Sequence, residues 1–156
     1  MVKVKDIFNI ENGSLASENC QEGEYNFITA SEEWKTHNDY DHECEAIVFA
    51  AKAGGSLGRT HYVNDKFIAS NLCYILTSKI NSKYPVNLEF YNYYFTSIRN
   101  KLVSDLADGT SKLTISDKDL LDYYIDYIPL NKQNLFIKNN VNSFNMAKKN
   151  YIKAKN

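Results

Sequence analysis

The fold is decided by residues 53–76, which read AGGSLGRTHYVNDKFIASNLCYIL. The three glycines at its start predict a tight loop, because glycine adopts backbone angles that other residues avoid. Two strands are predicted after the loop, over Thr60–Val63 and Phe67–Leu76. Asn64-Asp65-Lys66 between them is typical of a tight turn. The stretch therefore predicts a glycine loop that leads into a β-hairpin.

The residues before this stretch predict further strands. Ala46–Ala51 is a short, continuously apolar run, as in a strand that is buried on both faces. Gly23–Ala30 alternates aromatic and polar residues, which is typical of a half-buried strand. Ser31–Glu45 is polar and predicts an exposed loop. The opening segment, Val2–Ile10, predicts either a strand or a short helix.

The residues after the stretch predict two helices and one more strand. Asn87 is a suitable N-cap for a helix whose apolar residues recur at three- and four-residue spacing until Gly109. Ser116 and Asp119 have the spacing of a capping arrangement, which predicts a second, short helix. Asp122–Ile128 predicts a strand. Together these elements predict an α/β (α+β) fold, with a twisted, mostly antiparallel sheet and flanking helices.

The composition is that of an ordinary globular domain. The chain has 156 residues, 44% of them hydrophobic and 24% charged, which is enough for one core. Its three cysteines form no Cys-x-x-Cys pair, and no apolar run reaches the roughly 18 residues of a membrane helix. We therefore expect a cytoplasmic protein with neither a disulfide framework nor a membrane partner.

Charge is divided unevenly along the chain. The formal net charge is −1, but the segment from Lys132 onward carries six lysines and no acidic residue. Residues 1–131 therefore carry 12 basic and 19 acidic side chains. Such an acidic region disfavours strong non-specific binding to nucleic acid, so a nucleic-acid partner would require a locally basic face.

The glycine loop shares features with three chemical motifs. A phosphate-binding loop requires a glycine at position 53 and a lysine at 59, where this chain has Ala53 and Arg59. The dinucleotide-binding motif requires a helix after the loop, whereas a strand is predicted. The loop does satisfy the bare Gly-x-Ser-x-Gly pattern, so a small serine hydrolase using Ser56 stays open as an alternative. The glycines serve either a tight strand connection or the approach of a ligand to the backbone.

A second cluster of polar residues does not match a known metal motif. His, Cys and acidic residues are concentrated in residues 37–44, but without the spacing that places metal ligands on one face. A solvated acidic loop is the favoured interpretation. No metal ion and no cofactor are predicted.

Arg59 and Arg99 are the only arginines of the chain. Arginine is the side chain best suited to bidentate contact with guanine or phosphate. Arg59 lies directly after the glycine loop and beside His61, where it could contact DNA or form a surface ion pair.

Three blocks of the sequence, in this order, resemble a known family. They are Val2–Gly13, Gly58–Asn71, and Asp119–Leu130 followed by Gln133. The set is similar to the target recognition domain of the specificity subunit of type I restriction-modification systems. The resemblance covers essentially the whole chain.

The resemblance implies a non-catalytic subunit with two such domains, each of which reads one half of a bipartite duplex DNA site. Long helices separate the domains and bind adenine methyltransferase subunits, and partner subunits carry out methylation and cleavage. The specificity domain of a type IIG enzyme is a related alternative. Residues 1–130 would form the recognition domain, and 131–156 would begin the spacer or dimerisation helix. The chain would then be a fragment, or a half-size subunit that pairs with a second copy.

The residues expected to contact DNA come from the loops around the central strands. Lysines and backbone N–H groups would bind phosphates and fix the register, and other side chains would read base edges. The candidates are Ser31, Lys35, Lys52, Ser56, Arg59, His61 and Asn71. None of these residues is expected to be catalytic.

Overall fold

The computed structural model describes residues 1–109 and 113–140. Short 3₁₀ turns at Ser17–Asn19 and Gly54–Ser56 interrupt the regular elements. The strands and helices are, in chain order, β1 (Val2–Lys3), α1 (Val4–Ile7), β2 (Phe8–Asn12), β3 (Tyr25–Ile28), β4 (Lys35–His37), β5 (His42–Ala50), β6 (Thr60–Ala69), β7 (Cys73–Ser78), α2 (Leu88–Leu106), α3 (Asp117–Asp122), β8 (Tyr124–Ile125) and α4 (130–140).

Six strands form one sheet in the order β2-β7-β5-β6-β3-β4. All neighbouring strands in it are antiparallel except β3 and β6, which are parallel. β1 and β8 form a separate ladder in which Val2 lies opposite Ile125, so the start of the chain is tied to the end of the domain. The predicted mixed fold, with a mostly antiparallel sheet and flanking helices, is confirmed.

The central β5–β6 ladder curls back on itself. The first residue of β6 lies opposite Phe49, and Phe67 lies opposite His42. In a flat ladder these two pairs would be about 24 Å apart, at about 3.4 Å per residue. Yet β7 begins four residues after β6 ends and pairs with β5 at Ala50, next to Phe49. Four residues span at most about 14 Å, so the sheet must curl.

The curl gives β5 two buried faces. Ile47 and Phe49 belong to a core that is shared with the helices, whereas Val48 and Ala50 line the inside of the curl. The inner core contains several alanines, whose small side chains allow a tight curl. Both faces of β5 are thus covered by protein, which explains why the predicted buried strand at 46–51 is apolar throughout.

α2 packs on the outer face of the sheet, and Tyr91 on it is completely buried. Both predicted N-caps are confirmed. The side chain of Asn87 accepts a hydrogen bond from the backbone N–H of Phe90, and that of Ser116 accepts from Asp119, each at 3.1 Å. These bonds satisfy backbone donors that a helix start leaves free.

The predicted hairpin is wrong. Asn64, Asp65 and Lys66 continue one strand, β6, and the turn falls at residues 70–72. The reason is tertiary, because all three residues pair with the neighbouring β5, for example Asn64 with Glu45. Pairing along the whole strand supplies backbone hydrogen bonds that outweigh the local preference of these residues for a turn.

Two other predicted boundaries also change. The polar segment Ser31–Glu45 is not a loop throughout, because it contains β4 and the first residues of β5. The strand predicted over Asp122–Ile128 is reduced to the two residues of β8, since only β1 is available to pair with it. The opening segment contains both predicted alternatives, a strand and a short helix.

The predicted terminal helix begins at residue 130 and is helical to residue 140. The rest of the predicted segment, 141–156, lies outside the described residues. Within the described parts of the chain, no helix is both long enough and apolar enough to cross a membrane.

Candidate nucleic-acid interface

The structure brings four of the seven predicted DNA-contacting residues together. The Nη1 group of Arg59 donates hydrogen bonds to Oγ of Ser56 at 3.2 Å and to the carbonyl oxygen of Ala30 at 3.4 Å. Nε2 of His61 bonds the carbonyl oxygen of Ser31 at 2.7 Å. The β3–β4 loop is thus fastened to the start of β6.

Arg59 and His61 share one side of the chain because alternate residues of an extended segment point the same way. Trp34, at the end of the same β3–β4 loop, packs edge-on against the His61 ring with 5.8 Å between ring centroids. It is the only tryptophan and is 39% exposed. We name the group Ser31, Trp34, Ser56, Arg59 and His61 the recognition patch.

Sequence reasoning missed Trp34. The available signal was a large aromatic side chain within a polar segment, a combination that marks binding loops more often than cores. Its contact with His61 could not be predicted, since the two residues come from distant parts of the sequence.

Arg59 keeps one edge of its guanidinium group open. No hydrogen bond within the described residues uses its Nε or Nη2, and none of the ion pairs there includes it. Among the described residues, Oδ1 of Asn92 is the single buried side-chain N or O atom without a hydrogen-bond partner. The unbonded nitrogens of Arg59 are therefore not buried. The free donors of Arg59 therefore reach solvent. The alternative role of Arg59, a surface ion pair, is not formed with any described residue.

Arg99 lies behind the glycine loop. Its Nε donates to the carbonyl oxygen of Leu57 at 2.8 Å, and its Nη2 donates to that of Gly55 at 3.2 Å. Burial and the nearby charge of Arg59 lower the pKa of Arg99. Two arginines therefore hold one loop, and neither forms an ion pair with a carboxylate among the described residues.

The loop glycines have different reasons to be present. Gly58 has φ of +76°, and a Cβ there would lie 2.8 Å from Cγ2 of Val103 on α2. A larger residue would therefore be strained and would collide with the helix. At Gly55 a Cβ would meet nothing within 4 Å. Gly58 thus allows a tight connection at the end of the loop, and Gly55 leaves open space in its middle.

The other three predicted residues lie around the patch. Lys35 is exposed and directly follows Trp34 on β4. Asn71 lies in the β6–β7 turn. Lys52 follows β5 and is joined to that turn, because its N–H donates to the carbonyl oxygen of Leu72 at 3.1 Å. Both side chains are exposed. These three residues therefore lie on loops and strand ends near the patch, but none of them forms a hydrogen bond with a patch residue.

Ser56 lacks the surroundings of a hydrolase nucleophile. Its hydroxyl accepts a hydrogen bond from Arg59, and no histidine bonds it within the described residues. The 3₁₀ turn that carries it leads into a strand, whereas the hydrolase motif requires a helix. A serine needs an adjacent base to become nucleophilic. The geometry therefore provides no activation of Ser56.

The polar cluster at 37–44 does not form a metal site among the described residues. His42 instead contacts Asp41 at 2.6 Å and Glu11 at 3.1 Å. Burial alone would lower the pKa of His42, but these carboxylates outweigh it and raise the pKa. His42 and Asp41 of this cluster therefore form, with Glu11, a local ion-pair network that joins β5 to β2.

Comparison with solved structures shows a shared fold. The chain is similar to the S subunit of a type I restriction-modification system from M. genitalium, with a TM-score of 0.75 and 19% identity over 97% of this chain and 40% of that chain. It is also similar to the HsdS subunit from Thermoanaerobacter tengcongensis, with a TM-score of 0.60 and 16% identity over 88% of this chain and 35% of that chain.

A third similar structure concerns complex assembly and conformational transition of the type I R-M system. Its TM-score is 0.65 and its identity 14%, over 99% of this chain and 40% of that chain. The present chain thus spans about two fifths of the solved subunits that it matches. No curated protein sequence matches it at a significant level.

The family comparison covers nearly the whole chain. The family described as type I restriction modification DNA specificity domain matches residues 1–152. The resemblance noted in the sequence is thereby confirmed, and the serine hydrolase alternative gains no support. The chain belongs to the family of type I restriction-modification DNA specificity domains.

Proposed function

We propose that this domain recognises one half of a bipartite site in duplex DNA and reads it with the recognition patch. The observation that supports this most strongly is the orientation of Arg59. One side of its guanidinium group is held by Ser56 and Ala30, and the other side is open. Bidentate contact of arginine with O6 and N7 of guanine is the commonest base-specific contact in the major groove.

The hydrogen bonds of Arg59 also favour tight binding. A long side chain that is already held in place loses less conformational entropy when it meets its ligand. Arg99 holds the loop from behind through two backbone carbonyls, so the loop and Arg59 are supported together. A pre-formed donor edge of this kind suits sequence reading better than a mobile lysine does.

The surrounding residues suit the positioning of the DNA backbone. Lys35 and Lys52 are exposed, so their charges can neutralise phosphates. Asn71 and the open glycine loop offer further polar groups. Such contacts fix the register of a protein on the duplex, and base contacts then provide specificity.

We further propose that the domain is the non-catalytic part of its system. Its partner would be an adenine methyltransferase, which would supply the chemistry, as in the assemblies that the family resemblance implies. Residues 1–130 would act as the recognition domain and 131–156 as the start of a spacer helix. Leu135 and Phe136 are 57% and 38% exposed on that helix, which is apolar surface for a second copy or a second recognition domain to cover. A cytoplasmic location stays a prediction.

The test is selection of DNA by the assembled complex. The specificity subunit, together with its methyltransferase, is incubated with a pool of randomised DNA duplexes, and the bound fraction is sequenced. We expect enrichment of a bipartite motif in which one half depends on this domain. Binding without any enriched motif, or a motif that is unaltered when the recognition patch is substituted, contradicts the proposal.

A further inference from the structure

The hydrogen bond of His61 fixes where its proton lies. Nε2 lies 2.7 Å from the carbonyl oxygen of Ser31. A carbonyl can only accept a hydrogen bond, so Nε2 is the atom that carries the hydrogen. In a neutral imidazole the other ring nitrogen, Nδ1, is then an acceptor with a free lone pair.

That acceptor is accessible. No hydrogen bond to Nδ1 of His61 occurs within the described residues, and Nδ1 is not among the buried atoms that lack a partner. Nδ1 is therefore not fully buried. The Trp34 ring packs at an interplanar angle of 88° to the imidazole, and the Ser31 bond fixes the position of Nε2, so the lone pair on Nδ1 has a fixed direction.

The surroundings favour the neutral ring. Burial lowers the pKa of His61, and the positive charge of Arg59 lowers it further, against the opposing effects of the Ser31 carbonyl and Glu32. The net shift is downward from the ordinary value of 6.5. At neutral pH the imidazole is consequently uncharged and Nδ1 stays an acceptor.

We propose that His61 determines sequence specificity by accepting a hydrogen bond from the exocyclic amino group of cytosine or adenine in the major groove. This inference rests on the proposed function. The major-groove edges carry only two kinds of hydrogen-bond donor, N4 of cytosine and N6 of adenine, and the remaining polar groups are acceptors. A fixed lone pair is attracted to the amino groups and repelled by N7, O6 and O4.

Arg59 and His61 thereby form a complementary pair. Arg59 offers donors and suits guanine, whereas His61 offers an acceptor and suits cytosine or adenine. The two residues are separated by two positions of extended chain, which is about 7 Å, whereas base pairs are stacked about 3.4 Å apart along each strand. They would therefore read different base pairs, so each can be tested at its own position of the motif.

The test combines a protein variant with a modified base. The duplex motif is first selected with the wild-type complex, and the selection is repeated with His61→Phe, which keeps a ring but has no acceptor. We expect preference to be lost at one base pair and kept at the others. At that pair, the base is then replaced by one without the amino group, purine for adenine or 2-pyrimidinone for cytosine.

For the wild-type complex we expect removal of the amino group to weaken binding by about 3- to 10-fold, the usual worth of one hydrogen bond. For His61→Phe we expect no further loss, so the two changes are non-additive. His61→Gln retains an acceptor oxygen and should keep a preference for an amino base. It also keeps the test decisive if the phenylalanine variant folds poorly.

His42→Phe is the matched control. It is the same substitution at a histidine whose partners are Asp41 and Glu11, and it should leave the motif unchanged. If the wild-type complex selects no motif, the proposed function itself fails. If it selects a motif that His61→Phe leaves intact, or if the two changes are additive, the assignment of His61 is overturned and the proposed function stands.

Discussion

Gln133 lies at the junction where helix α4 meets the rest of the domain. The recognition patch and this junction contain similar hydrogen bonds, but the bonds have different consequences. The side chain of Gln133 is completely buried. Its oxygen accepts from the N–H of Asn87 at 2.7 Å, and its nitrogen donates to the carbonyl oxygens of Ile128 at 2.7 Å and Pro85 at 3.3 Å. In the patch, Arg59 and His61 also bond backbone carbonyls, but each retains donors or an acceptor that point to solvent.

This difference separates stability from recognition. At the junction both ends of the amide are satisfied by protein, so helix α4 is joined to the start of α2 and to the end of the domain. In the patch the bonds to protein use only part of each side chain and orient the remainder. We therefore expect substitutions at the junction to lower the free energy of unfolding and substitutions in the patch to alter DNA binding.

The largest effect is expected for Gln133→Leu. The substitution removes a completely buried amide and leaves the half-buried N–H of Asn87 and carbonyl of Ile128 without partners, which should lower the free energy of unfolding by about 2–4 kcal/mol. Urea denaturation measures it. Asn134→Ala is the matched control, because Asn134 bonds Asn87 from an exposed position and should cost no more than about 0.5 kcal/mol. Equal losses for the two variants would show that burial is not the cause.

Arg59→Ala should have the next largest effect, and on binding alone. Loss of a bidentate contact to guanine should weaken specific DNA binding by about 1–3 kcal/mol. The free energy of unfolding should change by no more than about 0.5 kcal/mol, since the two bonds of Arg59 orient the side chain but are long, at 3.2 and 3.4 Å, and add little to stability. Titration of the selected duplex and urea denaturation measure the two quantities.

Arg59→Lys separates charge from geometry. Lysine keeps the positive charge but lacks the planar fork, so we expect it to restore little of the specific affinity. Lys66→Ala, on the far part of β6, should leave binding unchanged. Full affinity in Arg59→Ala would remove Arg59 from the reading surface.

A smaller effect is expected from pH. Because the pKa of His61 is lowered from 6.5, its ring is mainly neutral at pH 7, and half-protonation is reached only below pH 6.5. Protonation turns Nδ1 from an acceptor into a donor. Preference for the amino base should then fall by about 3- to 10-fold, the worth of one hydrogen bond, in the wild-type complex. In His61→Gln, binding measured at the same pH values should retain the preference.

The smallest effects are expected at Lys35 and Lys52. Each contact with a phosphate releases counterions, so each alanine variant should reduce the slope of log affinity against log salt concentration by about 1. The loss should be similar for specific and unrelated duplexes, because a phosphate carries no sequence information. If the loss is confined to the selected motif, that lysine contacts bases and not phosphates.

Several elements of the fold were predictable because their causes are local. Asn87 and Ser116 cap helices through bonds that reach only three residues along the chain. The buried strand at 46–51 was visible in its unbroken apolar run. The position of the β6–β7 turn was not predictable, because Asn64 and Asp65 favour a turn locally and only pairing with β5 keeps them extended.

The amino-acid sequence was enough to predict the fold class, the helix starts and the family, and it suggested the side chains that we propose contact DNA. How those side chains are oriented depends on the tertiary structure. The bonds that orient Arg59 and His61 come from carbonyl groups 29 and 30 residues away in sequence. Every residue has a carbonyl group, so no residue pattern marks these partners. These carbonyl groups become the partners because the curl of the sheet brings the β3–β4 loop over the start of β6.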